Sequence, residues 1–220
     1  MRTHRDRRPM DIRESYDAAA SGYADALTGE LAGKPLDRHL LDRFAEGVAG
    51  RGPVADLGCG PGHVAQYLHE RGVDVRGLDL SPGMITAAGA RFPEVPFAVG
   101  DMRDLPLEEA SLGGAVLFYA IVHFVPEELT PVFMELSRVL QPDGLALVSF
   151  HVGEGIVHRD EMFGARVNLD FYFHGVESVT EALLASGLTV IENTLREPYE
   201  GAEYPSRRCY LLARKAAEPA

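Results

Sequence analysis

Short apolar runs alternate along this chain with stretches in which apolar residues recur every three or four positions. The runs Val54–Leu57, Val73–Asp79, Val95–Val99, Ala115–Ala120 and Leu145–Phe150 predict strands, and Gly62–Arg71, Pro82–Arg91 and Glu127–Leu140 predict helices between them. In the last helix Leu129, Val132, Phe133, Leu136, Val139 and Leu140 make one stripe. Ser81 ahead of Pro82 suits an N-cap followed by proline at the first helical position, where its missing N–H costs little. Strand–helix alternation predicts parallel strands joined by right-handed crossovers. Further on, Ser178-Val179-Thr180-Glu181 predicts a capping box opening another helix, and Gly187 its end. Leu188–Leu195 and Arg208–Ala213 have no helical pattern between them and predict an antiparallel pair at one sheet edge. No repeat or linker interrupts residues 11–215, which read as one domain whose helical segment 11–49 forms a cap.

Composition narrows the partners. A chain of 220 residues buries roughly 70% of its unfolded surface as one domain. Its net charge of −12 disfavours a nucleic-acid partner, because such affinity rests on cationic contacts to phosphate. Arg2, Arg5, Arg7 and Arg8 lie in residues 1–10, predicted to be a disordered basic tail. With no apolar run near the ~20 residues of a membrane span and no signal-peptide pattern, the expected location is the cytoplasm, away from membranes. Two distant cysteines, Cys59 and Cys209, indicate neither a disulfide framework nor a zinc site.

The densest chemistry lies in Val54-Ala55-Asp56-Leu57-Gly58-Cys59-Gly60-Pro61-Gly62, a strand followed by a glycine turn and a helix. Dinucleotide-binding domains use similar turns, but their sixth position needs glycine or alanine, and here it is His63. Asp56, just before the turn, would oppose a pyrophosphate at the helix N-terminus. S-adenosylmethionine (SAM) has no phosphate and carries an ammonium and a sulfonium, which a nearby carboxylate favours. Asp79 ends the second strand, where an acid can accept ribose hydroxyls. Asp101 ends the third, and its carboxylate or the neighbouring Met102 backbone can meet the adenine amino edge.

On these residues, together with Leu78-Asp79-Leu80-Ser81, Gly100-Asp101-Met102, Val122-His123-Phe124-Val125-Pro126 and the run from Glu135 to Gly144, the sequence resembles the class I SAM-dependent methyltransferases. It is most similar to the small-molecule branch typified by enzymes of ubiquinone and menaquinone biosynthesis. The resemblance covers about residues 50 to 150. It implies a Rossmann-like three-layer αβα sandwich whose seven-stranded, mostly parallel sheet has order 3-2-1-4-5-7-6 with strand 7 antiparallel. It also implies cofactor roles: Asp56, Gly58 and Gly60 around the methionine part, Asp79 on ribose, Leu80 and Met84 against adenosine, Asp101 and Met102 at adenine, and Tyr119 with Ala120 after strand four. Tyr16 and Tyr23 match the tyrosine-rich segment that closes over the cofactor. Where the family usually has Asp before strand four, this chain has Gly113 beside Gly114, a change expected to affect local packing.

The activity so implied is in-line methyl transfer from SAM to a small-molecule O, N, C or S acceptor, releasing S-adenosylhomocysteine, by a monomer or homodimer. Carboxylates for a metal are missing near strands four and five, so no metal is expected. His123 and His151, after those strands at the carboxyl edge, are the candidate bases, against the plainer reading that they shape the pocket. His158 and His174 read as surface or loop residues. The long span from His151 to Val176, with Phe163, Phe171, Tyr172 and Phe173, reads as a substrate lid or as a short edge element at Leu169–Phe173. Tyr199 and Tyr204 either join its aromatic wall or lie on the surface. The alternatives are a protein or RNA methyltransferase and a non-catalytic SAM-binding accessory protein.

Overall fold

The structure, a computed structural model, describes residues 10–201 and 203–217; the arginine-rich segment lies outside the described residues apart from Met10. Two helices, α1 (Ile12–Leu27) and α2 (Pro35–Val48), precede the sheet. The strands are β1 (Val54–Leu57), β2 (Val75–Asp79), β3 (Phe97–Val99), β4 (Leu112–Phe118), β5 (Leu140–His151), β8 (Leu188–Arg196) and β9 (Arg208–Lys215). Helices α3 (His63–His69), α4 (Pro82–Arg91), α5 (Pro126–Val139) and α6 (Val176–Ala185) connect them, and β6 (Ile156–Met162) with β7 (Ala165–Tyr172) forms a separate antiparallel hairpin. The sheet order is β3-β2-β1-β4-β5-β9-β8. With the hairpin set aside this is the expected order, and β9 runs antiparallel to both neighbours as the expected seventh strand.

Alternation along the central strands divides the core between the two faces. Ala55, Leu57, Ala115 and Leu117 pack with the apolar stripe of α5 and with α6. Val54, Val116, Leu145 and Leu147 pack with α2 and α3 on the opposite face. Every residue of β1 and β4 is buried, the signature of parallel strands covered on both sides. Gly113 and Gly114 fit this packing. A Cβ on Gly113 would lie 2.6 Å from the Arg51 carbonyl oxygen, and one on Gly114 2.6 Å from Val48 Cγ1. Gly113→Asp, which restores the usual family residue, is therefore expected to lose about 1–3 kcal/mol of stability in urea titration.

Most elements lie where the pattern predicts, with three corrections. Helix α6 starts at Val176 behind Gly175, so Ser178 through Glu181 are interior residues rather than a capping box. Backbone bonds from His174 N to the His151 carbonyl and from Gly153 N to the His174 carbonyl bring the chain into the helix earlier. His174 is 1% exposed, not a surface residue, and its Nε2 reaches the Ile121 carbonyl at 3.2 Å. Strand β5 begins at Leu140, the residue predicted to end the preceding helix. The span after His151 forms a separate antiparallel hairpin, β6–β7, rather than a short element at the edge of the main sheet.

Candidate active site

The glycine turn after β1 is built on backbone torsions that side chains disfavour. Gly58 and Gly62 have φ of +70° and +84°. A Cβ on Gly58 would sit 2.7 Å from the Ala120 side chain, and one on Gly62 2.6 Å from the Phe97 ring. The turn thus approaches β4's exit and β3 at distances that only glycine allows. Beside it, at the carboxyl ends of β1, β2, β4 and β5, lies a cavity of about 690 Å³. That volume falls in the ~300–1,000 Å³ range of small-molecule sites, and the position is the usual one in open α/β sheets.

Tyr16, Tyr23, Asp56, Gly58, Gly60, Asp79, Leu80, Asp101, Met102, Tyr119, His123 and His151 all line this cavity. Met84 does not: it is 1% exposed and packed beneath the first turn of α4, where its N–H donates to the Ser81 hydroxyl. Asp79 Oδ2 accepts from Gly60 N at 2.8 Å and Oδ1 from Ser81 N at 2.9 Å, so it braces the glycine turn. Burial raises its pKa. A carboxylate offers about four lone-pair sites, which leaves capacity for hydroxyl donors. Asp101 is more local than expected. Its two oxygens face the Arg103 guanidinium at 2.6–3.1 Å, which holds its pKa down.

Asp56 is 1% exposed, and its Oδ2 has no hydrogen-bond partner. Burial pushes its pKa up to about 7, despite the opposing influence of His63. A buried carboxylate with an unused oxygen repels phosphate and suits an ammonium group. The donor set at the turn, an orphaned acid and a second acid at the end of β2, therefore fits the phosphate-free SAM.

Helix α1 and the β6–β7 hairpin roof the cavity together. Ala19 packs against Val167 and Leu169, Asn168 N donates to Ser15 Oγ at 3.0 Å, and Phe163 stands edge-on to Tyr23. Asp17 ties α1 to α4, accepting from Ser81 Oγ at 2.6 Å and Gly83 N at 2.8 Å.

The two histidines differ. Because a carbonyl only accepts, His123 donates from Nδ1 to the Asp170 carbonyl (2.8 Å), and its Nε2 accepts from the Tyr16 hydroxyl (2.7 Å). Burial lowers the His123 pKa and raises that of Tyr16, so both are neutral near pH 7. His123 thus lines the cavity with its Nε2 engaged by the Tyr16 hydroxyl. His151 pairs through Nδ1 with Ser206 Oγ at 2.7 Å and stacks on Phe173, with ring centroids 5.5 Å apart. Burial first, then the Arg208 charge, brings its pKa down to about 4, so it is neutral and weakly basic.

Tyr119 has φ of +56°, a region costing a non-glycine residue on the order of 1–3 kcal/mol. Its N–H to Ser149 Oγ (3.0 Å) and its hydroxyl on that of Tyr210 (2.7 Å) hold it there. Below it lies a charge network missed by the sequence reading. Tyr210 and Arg196 both donate to buried Asp37, and Glu203 pairs with Arg196, Lys34 and Arg208. These residues are far apart in sequence, and no local pattern marks them. Glu30 and His63 pair at 2.9 Å, so the residue that broke the dinucleotide fingerprint ties α3 to the segment after α1. Tyr204 joins the aromatic wall, whereas Tyr199 lies under the Arg196 guanidinium.

Known proteins resemble this chain in sequence and fold. Residues 54–144 match the family described as a methyltransferase domain. The chain is 32% identical over 135 residues to a malonyl-[acyl-carrier protein] O-methyltransferase of Serratia marcescens, covering 60% of this chain and 52% of that protein. It is 33% identical over 102 residues to the ubiquinone/menaquinone biosynthesis C-methyltransferase UbiE of Campylobacter jejuni, covering 43% of each. The chain thus spans about half the length of the curated relatives it matches. A SAM-dependent methyltransferase structure from Methanosarcina mazei superposes with a TM-score of 0.68 at 16% identity, over 76% of this chain and 93% of that one, and so shares the fold. Residues 54–144 thus match a methyltransferase domain, and the chain shares its fold with a SAM-dependent methyltransferase structure.

Proposed function

We propose that this protein transfers the methyl group of SAM to a small-molecule acceptor held between the sheet's carboxyl edge and the β6–β7 hairpin, without a metal. The observation that carries this reading is Asp56, a cavity-lining residue buried at the glycine turn with one oxygen unpartnered. Bound SAM supplies an electrophilic methyl and a neutral thioether leaving group, so the chain's task is to bind, orient and exclude water. Asp56 pairs with the cofactor's ammonium, Asp79 accepts from its ribose hydroxyls, and Leu80, Asp101 and Met102 line the adenine side. Tyr16 and Tyr23 close the roof, while Gly58 keeps the turn clear of Ala120.

An acceptor that must lose a proton meets the Tyr16 hydroxyl. As Tyr16 takes that proton, its own passes to His123 Nε2, and the Asp170 carbonyl stabilises the resulting imidazolium through Nδ1–H. The acidic net charge and the cavity's volume favour a small acceptor over a nucleic acid or a membrane lipid, and a soluble cytoplasmic setting.

The direct test is calorimetric titration with SAM and with NAD, followed by incubation with methyl-labelled SAM and cell extract. SAM binding with label in a low-mass product is expected. NAD binding without SAM binding, label only in macromolecules, or no label anywhere would each refute the proposal. Asp79→Ala is expected to weaken SAM binding by about 1–3 kcal/mol, since it removes a partly buried acceptor and loosens the turn at Gly60. An unchanged affinity would remove Asp79 from the ribose site.

A further inference from the structure

The acceptor half of the cavity is distinguished by flat rings and by one cation. His151 and Phe173 stack at an interplanar angle of 25°. Tyr204 stands edge-on to both, with centroids 6.3 and 5.9 Å away, and Phe171 lies 4.8 Å from the His123 ring. Such walls favour a planar π-system, which meets ring faces and edges alike.

The cations lining the cavity are not equivalent. Arg103 faces Asp101, Lys34 faces Glu30 and Glu203, and Arg208 faces Glu203. The side chain of Arg159, on the inward face of β6, makes no hydrogen bond or ion pair among the described residues, and its guanidinium lies 5.9 Å over the Tyr204 ring. That contact places it with the acceptor walls. Glu161, on the same strand, sits nearer the hairpin tip, where Phe163 covers Gly22 and Tyr23 over the cofactor half. An arginine steadied on an aromatic face presents its planar fork to a carboxylate.

We infer that the acceptor is a compact aromatic carboxylate, its ring held among Tyr204, Phe173 and Phe171 and its carboxylate met by Arg159. Arg159 is then a specificity residue, not a catalytic one. This rests on the methyltransferase reading above, and the cofactor must share the cavity, which keeps the acceptor small. With its Nδ1 engaged by Ser206, His151 offers Nε2 to a ring substituent.

The test uses the full chain saturated with S-adenosylhomocysteine and three probes: benzoate, benzamide and cyclohexanecarboxylate, each titrated calorimetrically. Benzoate is expected to bind at least tenfold more tightly than either neutral benzamide or the saturated acid. Arg159→Gln should erase the preference over benzamide, and Tyr204→Leu the preference over cyclohexanecarboxylate. Retained S-adenosylhomocysteine affinity in both variants shows that they fold. Equal binding of the three probes, binding of none, or an unchanged preference in Arg159→Gln overturns the inference while leaving the cofactor reading standing. Failure of the unaltered chain to bind S-adenosylhomocysteine overturns both.

Discussion

Asp56→Asn is expected to weaken SAM binding by about 2–3 kcal/mol, roughly 30- to 150-fold in Kd, and to abolish its pH dependence below neutrality. The argument begins with burial. Asp56 is 1% exposed with Oδ2 unpartnered, and its pKa is pushed up to about 7. Because the folded-state value lies above the unfolded one, this group's contribution to stability is full below about pH 4. It is lost as pH rises toward 7, a decline of about 4 kcal/mol across that window. The cofactor's ammonium pairs with the ionised form. Binding therefore lowers the Asp56 pKa, SAM affinity climbs with pH up to about 7, and a proton is released on binding at pH 6. Calorimetry at pH 6 in two buffers of different ionisation enthalpy measures that proton. The asparagine variant should release none, and a pH-independent affinity in the unaltered protein would contradict the assignment.

Asp37→Ala is expected to cost about 3–5 kcal/mol of folding stability, with a fall in Tm on the order of 10 °C. Asp37 is fully buried and accepts from Arg196 Nη2 at 2.9 Å and from the Tyr210 hydroxyl at 2.8 Å. Removing it leaves Arg196 in the interior with Glu203 as its remaining carboxylate, a group that Lys34 and Arg208 also claim. It also frees the Tyr210 hydroxyl that braces Tyr119. Asp37→Asn keeps an acceptor and the volume but drops the charge, so an intermediate loss is expected. Urea unfolding of the three proteins checks both values. A change within about 0.5 kcal/mol for Asp37→Ala would mean the network behaves as a surface ion pair.

The elements that the pattern predicted best were those whose local and tertiary demands agree. Helix α4 spans Pro82–Arg91 as predicted, and the Ser81 hydroxyl does accept from Met84 N. The glycine turn was equally legible, because positive φ and close backbone approach leave glycine as the residue that fits. Asp56 and Asp79 could be placed from strand ends alone. Asp101 lines the cavity just past β3, but its tie to Arg103 was not foreseen, since a flexible arginine two residues away has many rotamers. Met84 was assigned by family position to the cofactor, yet the turn of α4 directs it beneath the cavity's wall.

What the linear chain determined about this protein is its strand–helix alternation, its antiparallel edge and the acidic glycine turn, all set by backbone torsion and by the 2- and 3.6-residue periods of side-chain direction. Only the folded chain decided that the Tyr16 hydroxyl meets His123 Nε2, that His151 stacks on Phe173, and that Asp37, Arg196, Glu203 and Tyr210 form one buried network. Those partners are separated by as many as 173 residues. A hydrogen bond depends on atoms within about 3 Å, and sequence periodicity carries no information about distances between elements so far apart in the chain.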